Sequence, residues 1–493
     1  MIPYDPKTDM VVLLEQFRNG KFAAGDQQPW SISIAAGMIE DGEDPEQMAR
    51  REMLEETGCE VGRIEEVMTF YSMPGGSSQR MTIFCAEVSA DSATGFHGLP
   101  EEGEDIRVFS EPYSRCKDML ENNKPANKKI AQHIDSCLSC YSCMTTCPSG
   151  VNYMHLIDHG RNYVEETYKR PFLDRTFRSV LSFVLPRPKV FLMLAIASKI
   201  IKPFSFLLPQ FFKNSLKLMP DKIPSKKLKI QKVYTPQSGK VISRVALLTG
   251  CVQRVISPEI NESTIRLLNR HDVEVVVMPD IECCGSLNHH LGKKDLAKSS
   301  FIKNIKSWHE EYLCNGLDAI ISNTSGCGTT LKDYGHIFKH DKELKKMAKK
   351  ISELTKDVTE YLHENLKLNF KNGEEKKYKI AYHSACSMQH GQKIHSQPKE
   401  LISNTGNEVL EIPEGHLCCG SAGTYNILHQ KMAKSLLRNK VKNIEKMSPD
   451  FISTGNIGCI TQISTGTRIP IIHTVELLDW FTGGPKPNKL QNL

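Results

Sequence analysis

The chain has 493 residues, of which 40% are hydrophobic and 24% are charged. These proportions are ordinary for a globular protein and exclude a fibrous or largely unstructured chain, and the length predicts three or four domains. The net charge of +6 hides an asymmetry, because residues 1–126 carry a net charge of −13 and the remaining residues carry +19. Such a difference indicates two parts of different origin with different partners.

Cysteine is the unusual residue of this composition, with 16 copies, of which 12 fall in three spaced motifs. The N-terminal sequence has neither the basic start nor the apolar run of a signal peptide, so we expect a cytoplasmic protein whose thiols stay reduced. In that compartment clustered cysteines are more often metal ligands than disulfides.

Residues 1–110 begin with short strand-like runs at 11–14 and 30–34 and continue into one strong helix. Asp44, followed by proline, is typical of a helix start, and Gly58 is typical of a helix end. The spacing of Glu52, Glu55 and Glu56 places three carboxylates on one face of that helix.

Oxygen donors grouped in this way suit Mg²⁺ or Mn²⁺, which would activate water and neutralise charge on a phosphoryl group. A solvated acidic helix face is the alternative interpretation. The wider stretch 37–59 resembles the Nudix hydrolase box, and 98–105 resembles the ADP-ribose pyrophosphatase subgroup. The positions that match the box are Gly37, Glu43, Arg51, Glu52, Glu55, Glu56 and Gly58.

The Nudix resemblance implies roles for individual residues. The Ala36 carbonyl, Glu52 and Glu56 would bind the metal. Glu55, Glu102 and Glu104 would act in catalysis, with one of the last two ordering the attacking water. Members of the subgroup carry further strands before the point where this chain begins. We therefore interpret residues 1–110 as a truncated Nudix-like domain and expect weak or absent ADP-ribose hydrolysis.

The first cysteine motif is a run of four cysteines followed by proline, which is the bacterial ferredoxin signature. Its ligands are Cys137, Cys140, Cys143 and Cys147. In two-cluster ferredoxins the fourth cysteine binds the other cluster, yet the sequence has no second run of this kind. We predict a partial [4Fe–4S] domain over 118–174, with Cys147 left without its usual partner and Cys116 a minor candidate for completing the set.

Residues 175–220 contain eight Lys or Arg, no acid and many large apolar side chains. Prolines interrupt the stretch, so it does not predict a spanning helix. Two interpretations stay open: an interfacial membrane segment, or short helices that pack on the next domain with their lysines in water. Residues 221–240 are predicted to be a linker.

The other two cysteine motifs are the copies of an internal repeat, and in both copies 31 residues lie between one cysteine and Cys-Cys-Gly. Predicted strands at 245–248, 273–278, 319–322, 379–383, 408–412 and 451–454 indicate α/β units with parallel sheets. Each cysteine is then expected in a loop that follows the C-terminal end of a strand. The ligands of this predicted soft-metal centre are Cys251, Cys283, Cys284 and Cys327, and Cys386, Cys418, Cys419 and Cys459.

An iron–sulfur cluster in each copy is the favoured interpretation, against buried structural cysteines or disulfides. From about residue 118 to 476 the chain resembles the iron–sulfur subunit of glycolate oxidase, on the motifs at 137–150, 158–161, 325–328 and 416–425. The resemblance implies electron transfer from flavin-bearing partner subunits, which oxidise glycolate to glyoxylate, toward a membrane quinone. We find no Gly-x-Gly-x-x-Gly after a strand, and hence expect no flavin site in this chain.

The sequence therefore predicts a multidomain α/β and α+β protein. It comprises a Nudix-like α/β/α segment (1–110), a ferredoxin-like helical cluster domain (118–174), a basic apolar segment with linker (175–240) and two α/β Cys-Cys-Gly domains (241–372 and 373–484). Expected cofactors are [4Fe–4S] clusters and Mg²⁺ or Mn²⁺. Expected partners are flavin subunits and a membrane surface contacted by 175–220 at the inner face, but no nucleic acid. The alternatives are a Nudix hydrolase with a structural tail, or a chimera produced by deletion or a gene-model error.

Overall fold

The computed structural model describes residues 1–17, 30–40, 42–71, 80–99, 105–112, 126, 128–146, 152–207, 216, 232–281, 283–371 and 376–493. These residues form two compact units. The first comprises Met1–Pro125 with Thr146–Val151, and the second comprises Ala126–Thr145 with Asn152–Leu493.

The described strands are short, as is usual for mixed α/β proteins. They are β1 (Ile2–Asp5), β2 (Met10–Phe17), β3 (Trp30–Ser33), β4 (Ile64–Tyr71), β5 (Arg80–Glu87), β6 (Gly95–His97), β7 (Ile106–Pro112), β8 (Val233–Tyr234), β9 (Ser243–Leu248), β10 (Val273–Val276), β11 (Ala319–Ser322), β12 (Thr355–Asp357), β13 (Lys379–Tyr382), β14 (Glu408–Glu411), β15 (Phe451–Thr454) and β16 (Ile471–His473).

The described α-helices range from single turns to 22 residues. They are α1 (Pro45–Thr57), α2 (Lys128–Asp135), α3 (Ser142–Thr146), α4 (Tyr153–Thr167), α5 (Phe172–Val184), α6 (Pro188–Ile201), α7 (Gln253–Ile256), α8 (Glu259–Arg270), α9 (Ser286–His290), α10 (Lys294–Asn315), α11 (Ser325–Lys332), α12 (Tyr334–Ile337), α13 (Lys345–Leu354), α14 (Val358–Asn365), α15 (Gln397–Ser403), α16 (Tyr425–Leu428), α17 (Gln430–Glu445), α18 (Ile457–Ser464) and α19 (Thr474–Phe481). Short 3₁₀ turns occur at Ala90–Ser92, Lys202–Leu207 and Asn488–Leu490, and a π-helical turn occurs at Ser387–Gly391.

The first unit is a seven-stranded mixed sheet with the order β4-β5-β1-β2-β7-β6, in which β3 also pairs with β2. The helix α1 begins and ends as the sequence predicts. The side chain of Asp44 accepts hydrogen bonds from two N–H groups of the first turn, and Gly58 ends the helix in the left-handed conformation. Met53 on the inner face of α1 is fully buried in the core of this unit.

In the second unit the two cysteine repeats have the same sheet topology. The first has the order β12-β11-β9-β10-β8, and the second has the order β14-β13-β15-β16. Strands β9 to β12 correspond in order to β13 to β16, and every pairing among the corresponding strands is parallel. The prediction of duplicated parallel α/β units is confirmed.

The structure corrects two predicted loops. Val233 and Tyr234 lie in the stretch expected to be a linker, but they form the antiparallel edge strand β8 beside β10. Cys327 and Cys459 were expected in loops, yet they lie in the first turns of α11 and α18. A Gly-Cys pair directly after a parallel strand enters a helix because the chain must cross back over the sheet.

The two repeats share one hydrophobic core, which contains buried side chains of the first repeat, such as Val275, and of the second, such as Ile452. A buried ion pair also links the two repeats. Asp479 on α19 is 1% exposed and accepts hydrogen bonds from Arg266 at 2.6 Å and Arg270 at 3.0 Å, both on α8.

Helices α5 and α6 contain the first part of the basic apolar segment (175–220). Within the described residues no single helix is long and apolar enough to cross a membrane. Phe172–Val184 together with Pro188–Phe206 meets that length and composition only as a pair bent by 114°. One face of α6 is buried through Phe191 and Ala195, while Met193 and Ile200 on the opposite side are exposed.

We predict that Asp479→Ala destabilises the second unit by about 3 kcal/mol, because removal of a buried carboxylate leaves two cations without their partner. Thermal and urea unfolding of the full chain, followed by circular dichroism, measures this loss. The control is Glu353→Ala, which breaks an exposed pair with Lys349 at 3.9 Å and should cost less than about 1 kcal/mol. Equal losses for the two variants would contradict the prediction.

Candidate functional site

The first repeat brings its four predicted cysteines together at the C-terminal ends of its strands. Cys251 follows β9, the pair Cys283 and Cys284 follows β10, and Cys327 lies in the first turn of α11. The glycine after the pair has a structural reason. Gly285 has φ +84°, and a Cβ there would lie 2.4 Å from the Phe301 ring, so any other residue would be strained and would clash.

The second repeat builds the same arrangement. Cys386 follows β13, Cys418 and Cys419 follow β14, and Cys459 lies in the first turn of α18. Gly420 has φ +87°, and a Cβ there would lie 2.5 Å from the Ala433 carbonyl oxygen. In both copies the N–H of this glycine donates to the first sulfur of the pair, at 3.3 Å. The backbone of each Cys-Cys-Gly turn therefore stabilises negative charge on that sulfur.

The thiols in each repeat are close enough to perturb one another. Hydrogen bonding to Cys283, and then burial, raise the pKa of Cys251 well above its ordinary value. Contact with Cys283 raises the pKa of Cys284 in the same way. Because Cys283 accepts from both thiols, its own pKa falls well below the ordinary value. In the second repeat, hydrogen bonding to Cys418 and burial raise the pKa of Cys386.

One of the neighbouring thiols can ionise readily, but a second thiolate in the same group requires a cation to offset the repulsion between the two charges. Four converging sulfur donors are the ligands that iron–sulfur clusters and zinc require, and metal binding would displace the protons that the apo thiols retain. The donor chemistry of both repeats therefore fits an iron–sulfur centre, which would supply a one-electron carrier when bound.

The ferredoxin-like run is held in place by Arg161 on α4. Its guanidinium donates to the Ser139 hydroxyl at 2.6 Å and to the Cys137 carbonyl at 2.7 Å. Burial raises the pKa of Cys140, and the nearby Cys386 of the second repeat adds to this effect. The more exposed Cys143 lies beside the other two thiols of the run. Cys147 and Cys116 lie outside the described residues.

Asp158, one turn before Arg161, connects the ferredoxin-like run to the first repeat. Its carboxylate contacts His290 at 2.8 Å and His289 at 3.2 Å, both on α9. Burial opposes ionisation, but the two histidines, His290 foremost, hold the pKa of Asp158 below its ordinary value. The Asp-His-Gly-Arg motif at 158–161 therefore links the ferredoxin-like run to the first repeat, and we call the contacts of Asp158 and Arg161 the clamp.

All three cysteine motifs line a single cavity of about 360 Å³. Its wall includes the apolar side chains of Leu185, Phe191 and Ile256. The cysteines that line the cavity are Cys137, Cys140, Cys251, Cys283, Cys284, Cys327, Cys386, Cys418, Cys419 and Cys459.

His383 is a candidate ligand that the sequence motifs did not identify. It directly follows β13, and one of its ring nitrogens, the Cys419 sulfur and the Cys459 sulfur all lie within 4.8 Å of one another. Burial lowers the pKa of His383 to about 3, so its imidazole is neutral and able to act as a ligand. A histidine three residues before Cys386, where the first repeat has Leu248, was the available signal.

In the first unit, Arg51 organises the carboxylates of α1. Its guanidinium contacts Glu43 at 3.0 Å, Glu55 at 2.8 Å and Glu52 at 3.2 Å. Hydrogen bonding from Arg51 lowers the pKa of Glu43. Arg51 thereby offsets the repulsion among carboxylates on one helical face.

Glu56 is 5% exposed, and its carboxylate accepts a hydrogen bond from the Ala36 N–H at 3.0 Å. A Cβ on Gly37 would lie 1.6 Å from a Glu52 carboxylate oxygen, so glycine allows the Glu52 side chain to keep this position. The oxygen donors at this position fit a hard divalent cation. Glu102 and Glu104, predicted to act in catalysis, lie outside the described residues.

Comparison with known proteins agrees with both parts of the chain. The cysteine-rich domain family matches residues 245–332 and 380–464, and the NUDIX domain family matches residues 1–133. The ADP-ribose pyrophosphatase of Escherichia coli (strain K12) is 42% identical over 127 residues, which cover 26% of this chain. This chain spans only 60% of the length of that relative.

Two relatives match the cysteine-rich part. The probable glycolate oxidase iron–sulfur subunit of Bacillus subtilis (strain 168) is 26% identical over 71% of this chain and 83% of its own length. The glycolate oxidase iron–sulfur subunit of Escherichia coli (strain K12) is 35% identical over 365 residues, 74% of this chain and 85% of its own length. Behind a Nudix domain, the chain therefore belongs to the family of the glycolate oxidase iron–sulfur subunit.

Proposed function

We propose that this chain is the electron-transfer subunit of a complex that oxidises a 2-hydroxy acid such as glycolate. Flavin-bearing partner subunits would deliver electrons to it, and a membrane quinone would receive them. The observation that carries the proposal is the cavity of about 360 Å³ that the ferredoxin-like run and both repeats line together. Centres held by these three motifs are not separated from one another by a layer of protein.

For electron transfer, the polypeptide holds the cysteine motifs in fixed positions. The clamp formed by Asp158 and Arg161 fixes the ferredoxin-like run against the first repeat. On the other side, the Tyr425 hydroxyl donates to the Ser136 carbonyl at 3.2 Å and ties the run to the second repeat. These fixed positions keep the geometry of the sulfur donors constant while charge passes between them.

The proposal predicts that the anaerobically purified chain contains iron and sulfide and that reduction bleaches its colour. Cys419→Ser removes one donor of a buried set and should cost about four irons per chain. Metal and sulfide analysis measures this loss.

The matched control is Cys314→Ser, which makes the same substitution at an exposed cysteine outside the motifs. This variant should keep the wild-type iron content. A colourless protein that binds zinc under conditions of cluster assembly would sink the electron-transfer proposal, as would equal iron in the two variants.

We further propose that α5 and α6 contact the inner face of a membrane. The exposed apolar side chains of this segment are Phe172, Leu173, Val180, Phe183, Met193, Leu194, Ile196, Ile200, Ile201, Phe204 and Phe206. Between residues 175 and 207 the sequence carries only basic charges. Apolar side chains flanked by cations match an anionic lipid surface. Because Phe191 on α6 also lines the cavity, this helix connects the exposed face to the cysteines.

Flotation with vesicles tests the membrane contact. The full chain should bind vesicles that contain phosphatidylglycerol, and raising the salt concentration should weaken this binding. Ile200→Asp should reduce it at least about tenfold, because it removes one apolar side chain that would insert into the lipid and adds an anion.

The control for this experiment is Leu313→Asp on α10. Leu313 is 68% exposed and Ile200 is 69% exposed, so the two changes alter exposed side chains of equal accessibility. Similar loss of binding in both variants, or no binding by the wild type, would refute the contact.

A second candidate function belongs to the first unit, and the carboxylates around Arg51 favour it. We propose weak Mg²⁺-dependent hydrolysis of ADP-ribose or a related nucleoside diphosphate derivative, with Glu52 and Glu56 as metal ligands and Glu55 in catalysis. The Ala36 N–H holds the Glu56 carboxylate in position, at 3.0 Å.

Release of AMP from ADP-ribose measures this activity. Glu56→Gln should reduce it by about 100-fold or more, because the metal loses an anionic ligand. Glu46→Gln alters an exposed carboxylate on the same helix and should leave the rate unchanged. Equal rates for the two variants would remove Glu56 from the proposed site.

A further inference from the structure

His383 is an unusual buried histidine. It is 1% exposed, and its backbone N–H donates to the Ser453 carbonyl at 2.9 Å, which fixes the residue at the end of β13. Within the described part of the chain, neither ring nitrogen has a hydrogen-bond partner. Buried polar atoms are nearly always paired, so an imidazole with two unpaired nitrogens requires an explanation.

The surroundings of the His383 ring explain why its nitrogens are unpaired. A ring nitrogen lies within 4.8 Å of the sulfur atoms of Cys419 and Cys459, and those sulfurs lie within the same distance of each other. All three side chains are buried. Ligands of one metal ion at ordinary bond lengths of about 2.0–2.3 Å lie closer together than this limit, so a small inward movement completes the set.

The first repeat provides an internal comparison. Its residue three positions before Cys251 is Leu248, which is buried in an apolar core cluster. Leucine offers no donor atom, whereas the same place in the second repeat holds an imidazole. The duplicated architecture therefore contains one site with sulfur donors alone and one site with an added nitrogen donor.

We propose that His383 supplies a nitrogen ligand to the metal centre of the second repeat, beside Cys419 and Cys459. The inference rests on the proposed function, in that the cysteines hold a metal centre at all. Imidazole is a neutral ligand, so it adds a donor without adding negative charge to the centre, and replacing it by a thiolate would lower the reduction potential. The buried Lys440, whose amine donates to the Glu414 carbonyl at 2.9 Å, lies near the sulfur atoms of the same repeat.

Pulsed electron paramagnetic resonance of the reduced, full-length chain tests this ligand. Protein labelled with ¹⁵N-histidine should show a strongly coupled histidine nitrogen. His383→Leu, which copies the first repeat, should remove that coupling, and His340→Leu at an exposed histidine should keep it. His383→Cys should retain the iron of the second centre but lose the coupling and lower its midpoint potential, because an anionic ligand replaces a neutral one.

The outcomes separate this inference from the proposed function. Iron in the wild type without a strongly coupled histidine nitrogen overturns the role of His383 and leaves the electron-transfer proposal standing. The same holds if the coupling persists in His383→Leu. Absence of iron from the wild type overturns both. If His383→Leu fails to fold, the labelled wild type and His383→Cys decide the question.

Discussion

The crowding of buried thiols around one cavity is the constraint on which the second unit depends. Sulfur atoms this close cannot all carry negative charge without a cation, and the perturbed pKa values of Cys251, Cys283 and Cys284 reflect that repulsion. Parallel strands deliver the cysteines to one sheet edge, and the Cys-Cys-Gly turns aim N–H groups at the sulfurs. The fold thus assembles a site whose electrostatics are completed by bound metal.

The clamps around this cavity join segments that are distant in sequence. Asp158 reaches α9, Arg161 reaches the ferredoxin-like run, and Tyr425 contacts that run from the second repeat. The shared core and the Asp479 ion pair hold the repeats to each other. These contacts hold the three groups of cysteines at fixed positions, which gives an electron a fixed path between them. Phe191 on α6 lines the cavity, so the cavity and the proposed membrane contact share this helix.

Much of this architecture could be predicted. Strands β9 to β11 and β13 to β15, the cap at Asp44 and the end of α1 at Gly58 were predictable, since short-range periodicity and capping chemistry govern them. The short edge strands β8, β12 and β16 were not predicted, because two or three residues carry too little periodic signal. Strand β8 pairs only because β10 offers a free edge. Cys327 and Cys459 lie in helical turns because the crossover of the chain begins at that point.

The sequence by itself determined the ligand types, their duplication and the strand ends that carry them, because fixed spacings within one repeat encode local geometry. Only the tertiary structure decided that three motifs line one cavity, that Asp158 binds two histidines of another segment, and that His383 lies beside Cys419 and Cys459. Those contacts join residues tens to hundreds of positions apart. Burial and packing bring such residues together, and no local pattern in the sequence records which of them will meet.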